Sequence, residues 1–295
     1  MAKQNLAINT SLGKIKQKIL VMSGKGGVGK STVSTNLALG LANKGYKVGL
    51  MDVDLHGPDI CRMLNLTDKL HDTKIEGKQL FPPMQYGDNL KVISLEYMME
   101  DRDDPIIWRG PLKVQAIRQF IADMDWGELD YLIIDAPPGT GDEPLTVAQT
   151  IKDAQAVVVT TPQEVALADV RKSLNFCKHV KMKVIGMVEN MSGFICPHCN
   201  KNVEIFKAGG GEKTASEFGI NFLGKVPIDP RIVIGGDDGS PYLSSQADSP
   251  SVKAFAAIIS NVEKQLAGTA SLSLKSADAA GCACGSSCNP TTCNC

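Results

Sequence analysis

The stretch GKGGVGKST, residues 24–32, lies between an apolar run and a long helix-like segment. It matches the pattern G-x-x-x-x-G-K-[ST] at Gly24, Gly29, Lys30 and Ser31. Glycines in such a loop let backbone N–H groups approach phosphate oxygens, and the start of the following helix adds a positive field. The stretch therefore predicts a phosphate-binding loop between a strand and a helix, with a glycine-rich turn that binds nothing as the alternative.

Several residues of this loop are expected to bind a nucleotide together. Lys30 should reach the β- and γ-phosphates, and the Ser31 hydroxyl should ligate Mg²⁺. The predicted nucleotide-binding residues are Gly24, Lys25, Gly26, Gly27, Val28, Gly29, Lys30, Ser31 and Thr32.

Apolar runs alternate along the chain with longer helix-like segments, which predicts an α/β fold. Several runs are apolar at successive positions, as in strands that helices cover on each side. The sequence thus predicts a P-loop NTPase with a mostly parallel sheet covered by helices on both faces. The predicted strands are 18–23, 48–54, 90–95, 130–137, 156–162, 184–190 and 221–227, and the clearest predicted helices are 31–45 and 111–124.

Composition predicts one main domain between a polar leader and a cysteine-rich tail. We expect a polar leader at 1–17, a P-loop ATPase domain at 18–267 and a flexible, cysteine-rich tail at 268–295, because the tail is rich in small and polar residues. A net charge of -1 argues against binding nucleic acid or a membrane by bulk electrostatics. The N-terminus lacks a signal-peptide core, so a cytoplasmic location is expected.

Two acidic clusters follow predicted strands. Asp52 and Asp54 lie in MDVDLHGPD, and Asp135 ends the apolar run LIID. A terminal aspartate after a buried strand is the expected form of the carboxylate on the Mg²⁺ side, so Asp135 takes that role. Either Asp54 or Asp52 would orient the attacking water. The alternative for any single aspartate is a helix cap or a turn residue.

Cysteine is concentrated in two places. Cys196 and Cys199 form a CxxC pair, and two thiols at this spacing are half of a four-thiolate metal site. No second CxxC occurs in the chain. The other dense source is the tail, whose tentative ligands are Cys282, Cys284, Cys288, Cys293 and Cys295.

Three explanations of the half-site remain open on the residues alone. The tail folds back onto the pair, a second copy of the chain supplies two more thiols, or the pair binds no metal. Spacing does not separate an iron–sulfur cluster from structural zinc, since thiolates serve both metals. His198 is interpreted as a spacer, and Cys61 and Cys177 as buried apolar side chains.

Lys25 is not required by the ordinary phosphate-binding pattern. With this lysine, GKGGVGKST resembles the deviant Walker A motif of the MinD/ParA-type ATPases. The resemblance implies that Lys25 crosses a dimer interface to the nucleotide of the partner, in the manner of an arginine finger supplied in trans.

A wider set of motifs resembles the Mrp family of iron–sulfur cluster carrier ATPases from about residue 17 to about residue 265. The motifs are GKGGVGKST, DVDLHGPDI, WRGP, DAPPGTGD, VENMSGFICPHC and GGGEKTA. The resemblance implies a homodimer, a labile 4Fe–4S cluster bridging two copies through Cys196 and Cys199, slow ATP hydrolysis and transfer of the cluster to apo-proteins. It also implies that Asn190 contacts the adenine. The five-cysteine tail is not part of the family's usual pattern.

Two other functions compete with this one. The first is a positioning ATPase of the MinD/ParA kind with structural zinc at the CxxC pair. The second is a redox enzyme similar to the nitrogenase iron protein, whose cluster thiols come from separate loops of each chain. The CxxC spacing argues against the redox enzyme.

Overall fold

The computed structural model describes residues 2–54, 57–66, 73–75, 78–80, 82–94, 96, 110–196, 198–199, 201–241, 243 and 249–278. Its strands are β1 Ile15–Ser23, β2 Val48–Asp52, β3 Thr73–Ile75, β4 Lys78–Leu80, β5 Met84–Tyr86, β6 Leu90–Ser94, β7 Leu129–Asp135, β8 Gln155–Thr160, β9 Val184–Glu189, β10 Phe194–Ile195, β11 Asn202–Val203 and β12 Phe222–Lys225. Its helices are α1 Ala2–Leu12, α2 Lys30–Asn43, α3 Ile60–Met63, α4 Gly110–Ala122, α5 Asp142–Thr150, α6 Glu164–His179, α7 Gly210–Phe218, α8 Pro230–Asp237 and α9 Pro250–Asp278.

One sheet of eight strands, in the order β12-β9-β8-β1-β7-β2-β6-β5, organises the fold. Every neighbouring pair is parallel except β5 and β6. The seven parallel strands are those that the sequence predicts, and the predicted α/β class is confirmed. Ligands of such sheets bind where the strands end at their carboxyl edge, so the ends of the central strands β1, β7 and β2 mark the expected site.

Helices cover both faces of this sheet. Side chains alternate along β1, so that Leu20 and Met22 pack on one face while Ile19 and Val21 pack on the other. The first face is covered by α1, α4, α5, α6 and α7, and the second by α2, α3 and α9. Burial on both faces explains why the strands read as nearly continuous apolar runs.

Residues 1–17 differ from the predicted polar leader. Residues 2–12 form α1, and β1 begins at Ile15. Ile8 and Leu12, four residues apart on one face of the helix, are buried in the core against α4. Of the other side chains of α1 that the structure describes, two are exposed and two are partly buried. Two buried positions are too few for amphipathic periodicity to predict a helix.

The C-terminal helix also extends past its predicted end. The predicted boundary between domain and tail, at 267/268, falls inside α9, which continues to Asp278. Beyond Gly268 the helix contains no proline or further glycine and several good helix formers, so nothing in the local sequence ends it there. The five tail cysteines lie outside the described residues. Among the described helices, none is both long enough and apolar enough to cross a membrane.

The two edges of the sheet are irregular. The outer strand β12 shifts register against β9 between Phe222 and Gly224. Asn261, on α9, donates its side-chain amide to the Leu223 carbonyl at 2.9 Å. At the other edge β5 is three residues long and antiparallel to its neighbour.

Candidate functional site

The predicted phosphate loop joins the end of β1 to the start of α2. Gly27 and Gly29 have φ values of 78° and 79°, in the left-handed region where residues with a side chain are strained. Val28, between them, is 2 % exposed and packs into the core. The loop is therefore shaped by two glycines and anchored by one apolar side chain, and Val28, a predicted nucleotide-binding residue, is not among the residues that line the cavity. Gly24 packs against the backbone of α6.

A cation and a carboxylate meet at the centre of the site. Lys30 Nζ lies 2.6 Å from Asp135 Oδ2, and Ser31 Oγ donates to the same oxygen at 2.7 Å. Ser34, one helical turn further along α2, donates to Asp135 Oδ1 at 2.5 Å. Burial opposes the charge of Lys30, but Asp135 outweighs it and the pKa of the lysine is raised. The lysine is thus held in its charged form.

The two candidate water-orienting aspartates differ in their surroundings. Asp52 is fully buried, and its oxygens accept hydrogen bonds from the Asp54 amide at 3.0 Å and the Ser94 hydroxyl at 3.3 Å. Burial, and then the negative charge of Asp135 on the neighbouring strand, raises the pKa of Asp52 well above its ordinary value. Asp54 instead lines the cavity, 3.8 Å from Lys30 Nζ. Geometry therefore favours Asp54 for contact with a bound nucleotide or water.

A cavity of about 470 Å³ opens above the loop. Its far wall is the segment after β7, with Pro137, Pro138 and Glu143. The described residues of the predicted nucleotide site that line it are Lys25, Gly26, Gly27, Gly29, Lys30, Ser31, Thr32 and Asp54. The Ser31 hydroxyl and the Asp135 carboxylate supply the oxygen ligands that Mg²⁺ prefers, so the residues present fit this ion.

Asn190 is the predicted adenine contact, and its side chain is 6 % exposed. Its amide donates to the Val28 carbonyl at 2.9 Å. A Cβ atom placed on Gly29 would lie 2.2 Å from Asn190 Nδ2, so the loop and this side chain are in close contact. Asn190 thus supports the phosphate loop from behind, and its contact with adenine stays a prediction.

The CxxC pair lies at the tip of a two-stranded antiparallel hairpin, β10 and β11. The Cys196 amide donates to the Lys201 carbonyl at 3.0 Å and closes the turn. The backbone amides of His198 and Cys199 donate to the Cys196 sulfur, and these bonds lower the pKa of the Cys196 thiol. Cys196 is partly exposed and Cys199 is exposed. Two accessible thiols, one favoured as thiolate, suit a metal ligand pair.

Neither Cys196 nor Cys199 is among the residues that line the nucleotide cavity. The structure therefore does not bring the two thiols into that cavity. Within the part of the chain that the structure describes, no group of three or more cysteine, histidine or acidic residues could hold a metal ion. Cys61 and Cys177 are buried, as predicted. The described residues therefore provide two thiols at one exposed tip.

Two polar residues of the site escaped the sequence analysis. Ser34 hydrogen bonds to Asp135. It could have been found in the sequence, because it lies one helical turn after Lys30 and Ser31. Glu189 ends β9, is fully buried, and accepts hydrogen bonds from the amides of Gly209 and Gly211 at 2.9 and 2.5 Å. Its signal is an acidic residue directly after an apolar strand, the same form that identified Asp135.

Comparison with known proteins gives close relatives. The chain is 47 % identical over 266 residues to the iron–sulfur cluster carrier protein of Methanocaldococcus jannaschii, which covers 89 % of this chain and 91 % of that protein. It is 51 % identical over 232 residues to the cytosolic Fe-S cluster assembly factor CFD1 of Kluyveromyces lactis, with 77 % and 82 % covered.

Solved structures agree with the fold. The nucleotide-binding protein of Archaeoglobus fulgidus, solved in complex with ADP and with Co, superposes with a TM-score of 0.70 at 37 % identity, over 84 % of this chain and 98 % of that one. The cell division ATPase MinD of Pyrococcus furiosus superposes with a TM-score of 0.59 at 24 % identity, over 84 % and 98 %, and shows the fold alone.

A family model described as ParA, NUBPL iron-transfer P-loop NTPase, matches residues 14–263. The match begins just before β1 and ends within α9, so it includes the phosphate loop, both aspartate clusters and the thiol hairpin. The predicted membership in the iron–sulfur carrier branch of the MinD/ParA-like ATPases is thereby confirmed. The chain belongs to the NUBPL iron-transfer P-loop NTPases of the ParA family.

Proposed function

We propose that this protein is an ATP-dependent carrier that binds a labile 4Fe–4S cluster between two copies of the chain and transfers it to apo-proteins. The observation that carries the proposal is the exposed pair Cys196 and Cys199 on a chain that also has a nucleotide site. Two thiols from each of two copies match the four thiolates of a cubane cluster. Two-fold symmetry would bring identical patches together and complete the site.

The nucleotide half of the proposal rests on the buried cation and carboxylates. Lys30 would bind the β- and γ-phosphates, while Ser31 and Asp135 would hold Mg²⁺, which neutralises charge on the phosphates. Asp54 would orient the water that attacks the γ-phosphorus, and Lys25 of a partner copy would stabilise the charge that develops on the phosphate oxygens. The Asp52 carboxylate is occupied with backbone and Ser94 contacts, so we assign it to shaping the loop that carries Asp54.

The cluster is the cargo in this scheme, and hydrolysis is slow and linked to loading or release. A cytosolic place of action is supported by the name of the K. lactis relative. The relatives' names support iron–sulfur cluster transfer as the general activity.

Anaerobic reconstitution with iron and sulfide tests the proposal. Wild type is compared with a full-length variant in which the five tail cysteines are serine, and iron, sulfide and zinc are measured per dimer. We expect about four irons in both proteins, followed by transfer to an apo-ferredoxin. Loss of iron in the variant would move the site to the tail. Tight zinc without iron in either protein would contradict the carrier function and favour a positioning ATPase with a structural zinc.

A further inference from the structure

Four residues connect the nucleotide loop to the thiol hairpin. We call Asn190, Met191, Ser192 and Gly193 the connecting segment; it follows β9 and leads into β10. We propose that this segment couples the nucleotide state to the geometry of Cys196 and Cys199, with Ser192 and Glu189 as the residues that position it. The inference rests on the proposed function, in which both sites take part in one cycle.

At its first end the segment is bonded to the phosphate loop. The Asn190 side chain donates to the Val28 carbonyl at 2.9 Å, and the Asn190 backbone amide donates to the Thr160 carbonyl at 2.8 Å. Met191 also reaches the loop, since its terminal methyl lies 3.7 Å from the position of a Cβ on Gly29. A shift of the loop around bound phosphates therefore acts directly on this end of the segment.

The backbone of the segment is in an unusual conformation. Met191 has a φ of 55°, and Gly193 has a φ of 78°. A residue with a side chain in the left-handed region is held there only by its surroundings. Since those surroundings include the phosphate loop, a change in the loop alters what holds Met191 in place. Such residues are suited to switching between two backbone arrangements.

At its second end the segment fixes the root of the hairpin. The Ser192 amide donates to the Val226 carbonyl at 2.9 Å, and the Gly193 carbonyl accepts from the Ile228 amide at 2.7 Å. Gly193 lies against the Asn202 side chain of β11, because a Cβ on this glycine would be 2.7 Å from Asn202 Oδ1. Movement of Gly193 is thus passed to both strands that carry the thiols.

Glu189 is the fixed point of the arrangement. Its buried carboxylate is held by the amides of Gly209 and Gly211 at the start of α7. Ser192 Oγ donates to the Glu189 carboxylate at 2.5 Å. This hydroxyl therefore ties the connecting segment to a part of the fold that does not touch the nucleotide cavity, and it selects which of the segment's arrangements is stable.

Thiol reactivity tests the coupling without requiring a cluster. Full-length, metal-free protein is treated anaerobically with iodoacetamide, and the alkylation rates of Cys196 and Cys199 are measured by mass spectrometry. Because CPHC stays in one peptide after digestion, the two sites are told apart by fragment ions in tandem mass spectra, and the rates are compared without nucleotide, with Mg·ADP and with a non-hydrolysable Mg·ATP analogue. We expect wild-type rates to differ at least about fivefold between nucleotide states, the lower end of typical coupling between two sites.

Ser192→Ala removes the hydroxyl bond and leaves the residues of the nucleotide cavity in place. We expect its alkylation rates to become nearly independent of nucleotide, while the Kd for Mg·ADP stays at the wild-type value. Glu189→Gln should act in the same direction. The matched control is Ser11→Ala, which loses a 2.7 Å hydroxyl bond to the Met124 carbonyl far from both sites and should keep the wild-type ratio.

Two results would overturn the coupling: wild-type rates that do not respond to nucleotide, or a Ser192→Ala variant that responds as wild type does. Reconstitution with iron and sulfide is scored separately on the same preparations. A protein that takes up no cluster but shows nucleotide-dependent rates, abolished by Ser192→Ala, would contradict the carrier function while leaving the coupling in place.

Discussion

The nucleotide cavity and the thiol hairpin are built in opposite ways. In the cavity, Lys30 and Asp135 are buried and paired at 2.6 Å, the lysine at the start of α2 and the aspartate at the end of the central strand β7. At the hairpin, Cys196 and Cys199 lie at an accessible tip on strands of two residues each. The buried site fixes its charges within one chain. The exposed site presents two thiols outward, where another molecule can reach them.

This difference fits the two proposed tasks. Hydrolysis needs groups that are already oriented in a place of low dielectric, where their electrostatic effect is large. Delivery of a cluster needs ligands that an acceptor can approach and replace. Loss of a buried group should therefore damage stability and hydrolysis together, whereas loss of a thiol should remove one activity and leave the fold unchanged.

The largest effect is expected for Lys30→Ala. Removing this cation leaves Asp135 and Asp52 buried without it, which should cost about 3 kcal/mol of stability and reduce ATP hydrolysis at least about 100-fold. Urea unfolding and a phosphate-release assay measure the two quantities. The control is Lys18→Ala, which loses a 2.6 Å ion pair to Asp153 away from the cavity. Equal hydrolysis in both variants would show that Lys30 does not act on the nucleotide.

Cys196→Ala should separate the two regions. Iron after reconstitution should fall from about four per dimer to nearly none, while urea unfolding and nucleotide binding stay as in wild type. Cys177→Ala is the control, because burial raises the pKa of the Cys177 thiol to about 12 and keeps it from acting as a thiolate ligand. Full iron content in Cys196→Ala would remove this cysteine from the site.

Lys25→Ala tests whether the nucleotide site needs a second copy. Lys25 lines the cavity without an ion pair among those found in the described residues. If it acts in trans, turnover should fall about tenfold, a modest effect for a cation supplied by a partner, and turnover per chain should stop rising with protein concentration. Lys16→Ala, which removes an exposed lysine paired with Asp130, should behave as wild type. A Lys25→Ala variant whose turnover per chain still rises with protein concentration would exclude the role in trans.

The last effect concerns the pH dependence of stability. The pKa of Asp52 is raised in the folded protein. As the pH rises, the unfolded chain therefore loses this proton before the folded protein does. This contribution to stability is present at acid pH and is lost as the pH rises from the ordinary aspartate pKa through the raised one.

Asp52→Asn lacks this titration. We expect the free energy of unfolding of wild type to decline, relative to Asp52→Asn, by on the order of 1 kcal/mol for each pH unit between the two pKa values. Urea unfolding at about pH 5 and about pH 8 measures the difference. Parallel pH profiles for the two proteins would mean that Asp52 is ionised like an ordinary aspartate.

The sequence predicted those parts of the molecule that depend on local pattern. Parallel strands covered on both faces are apolar at nearly every position, so all seven were found. The antiparallel β5 and the hairpin of β10 and β11 were missed, because runs of two or three residues carry no periodicity. Helix α1 was missed for a related reason, since among its described side chains only Ile8 and Leu12 are fully buried in the core.

The residues of the candidate site were predicted to a similar extent. Lys30, Ser31 and Asp135 follow from motif and position, and the structure brings them together. The choice between Asp52 and Asp54 depends on which carboxylate the surrounding amides occupy, which no spacing in the sequence reveals. The bond between Ser192 and Glu189 depends on the turn at Met191, whose positive φ is unusual for methionine.

The irregular outer strands have a consequence for how the protein behaves when concentrated. A regular, unprotected edge strand invites another chain to add a strand and start a fibre. Here the register shift near Phe222 and the Asn261 amide on the Leu223 carbonyl interrupt one edge, and the short β5 limits the other. We therefore expect crowded solutions of this protein to hold discrete particles of fixed size, since growth by strand addition has no suitable template.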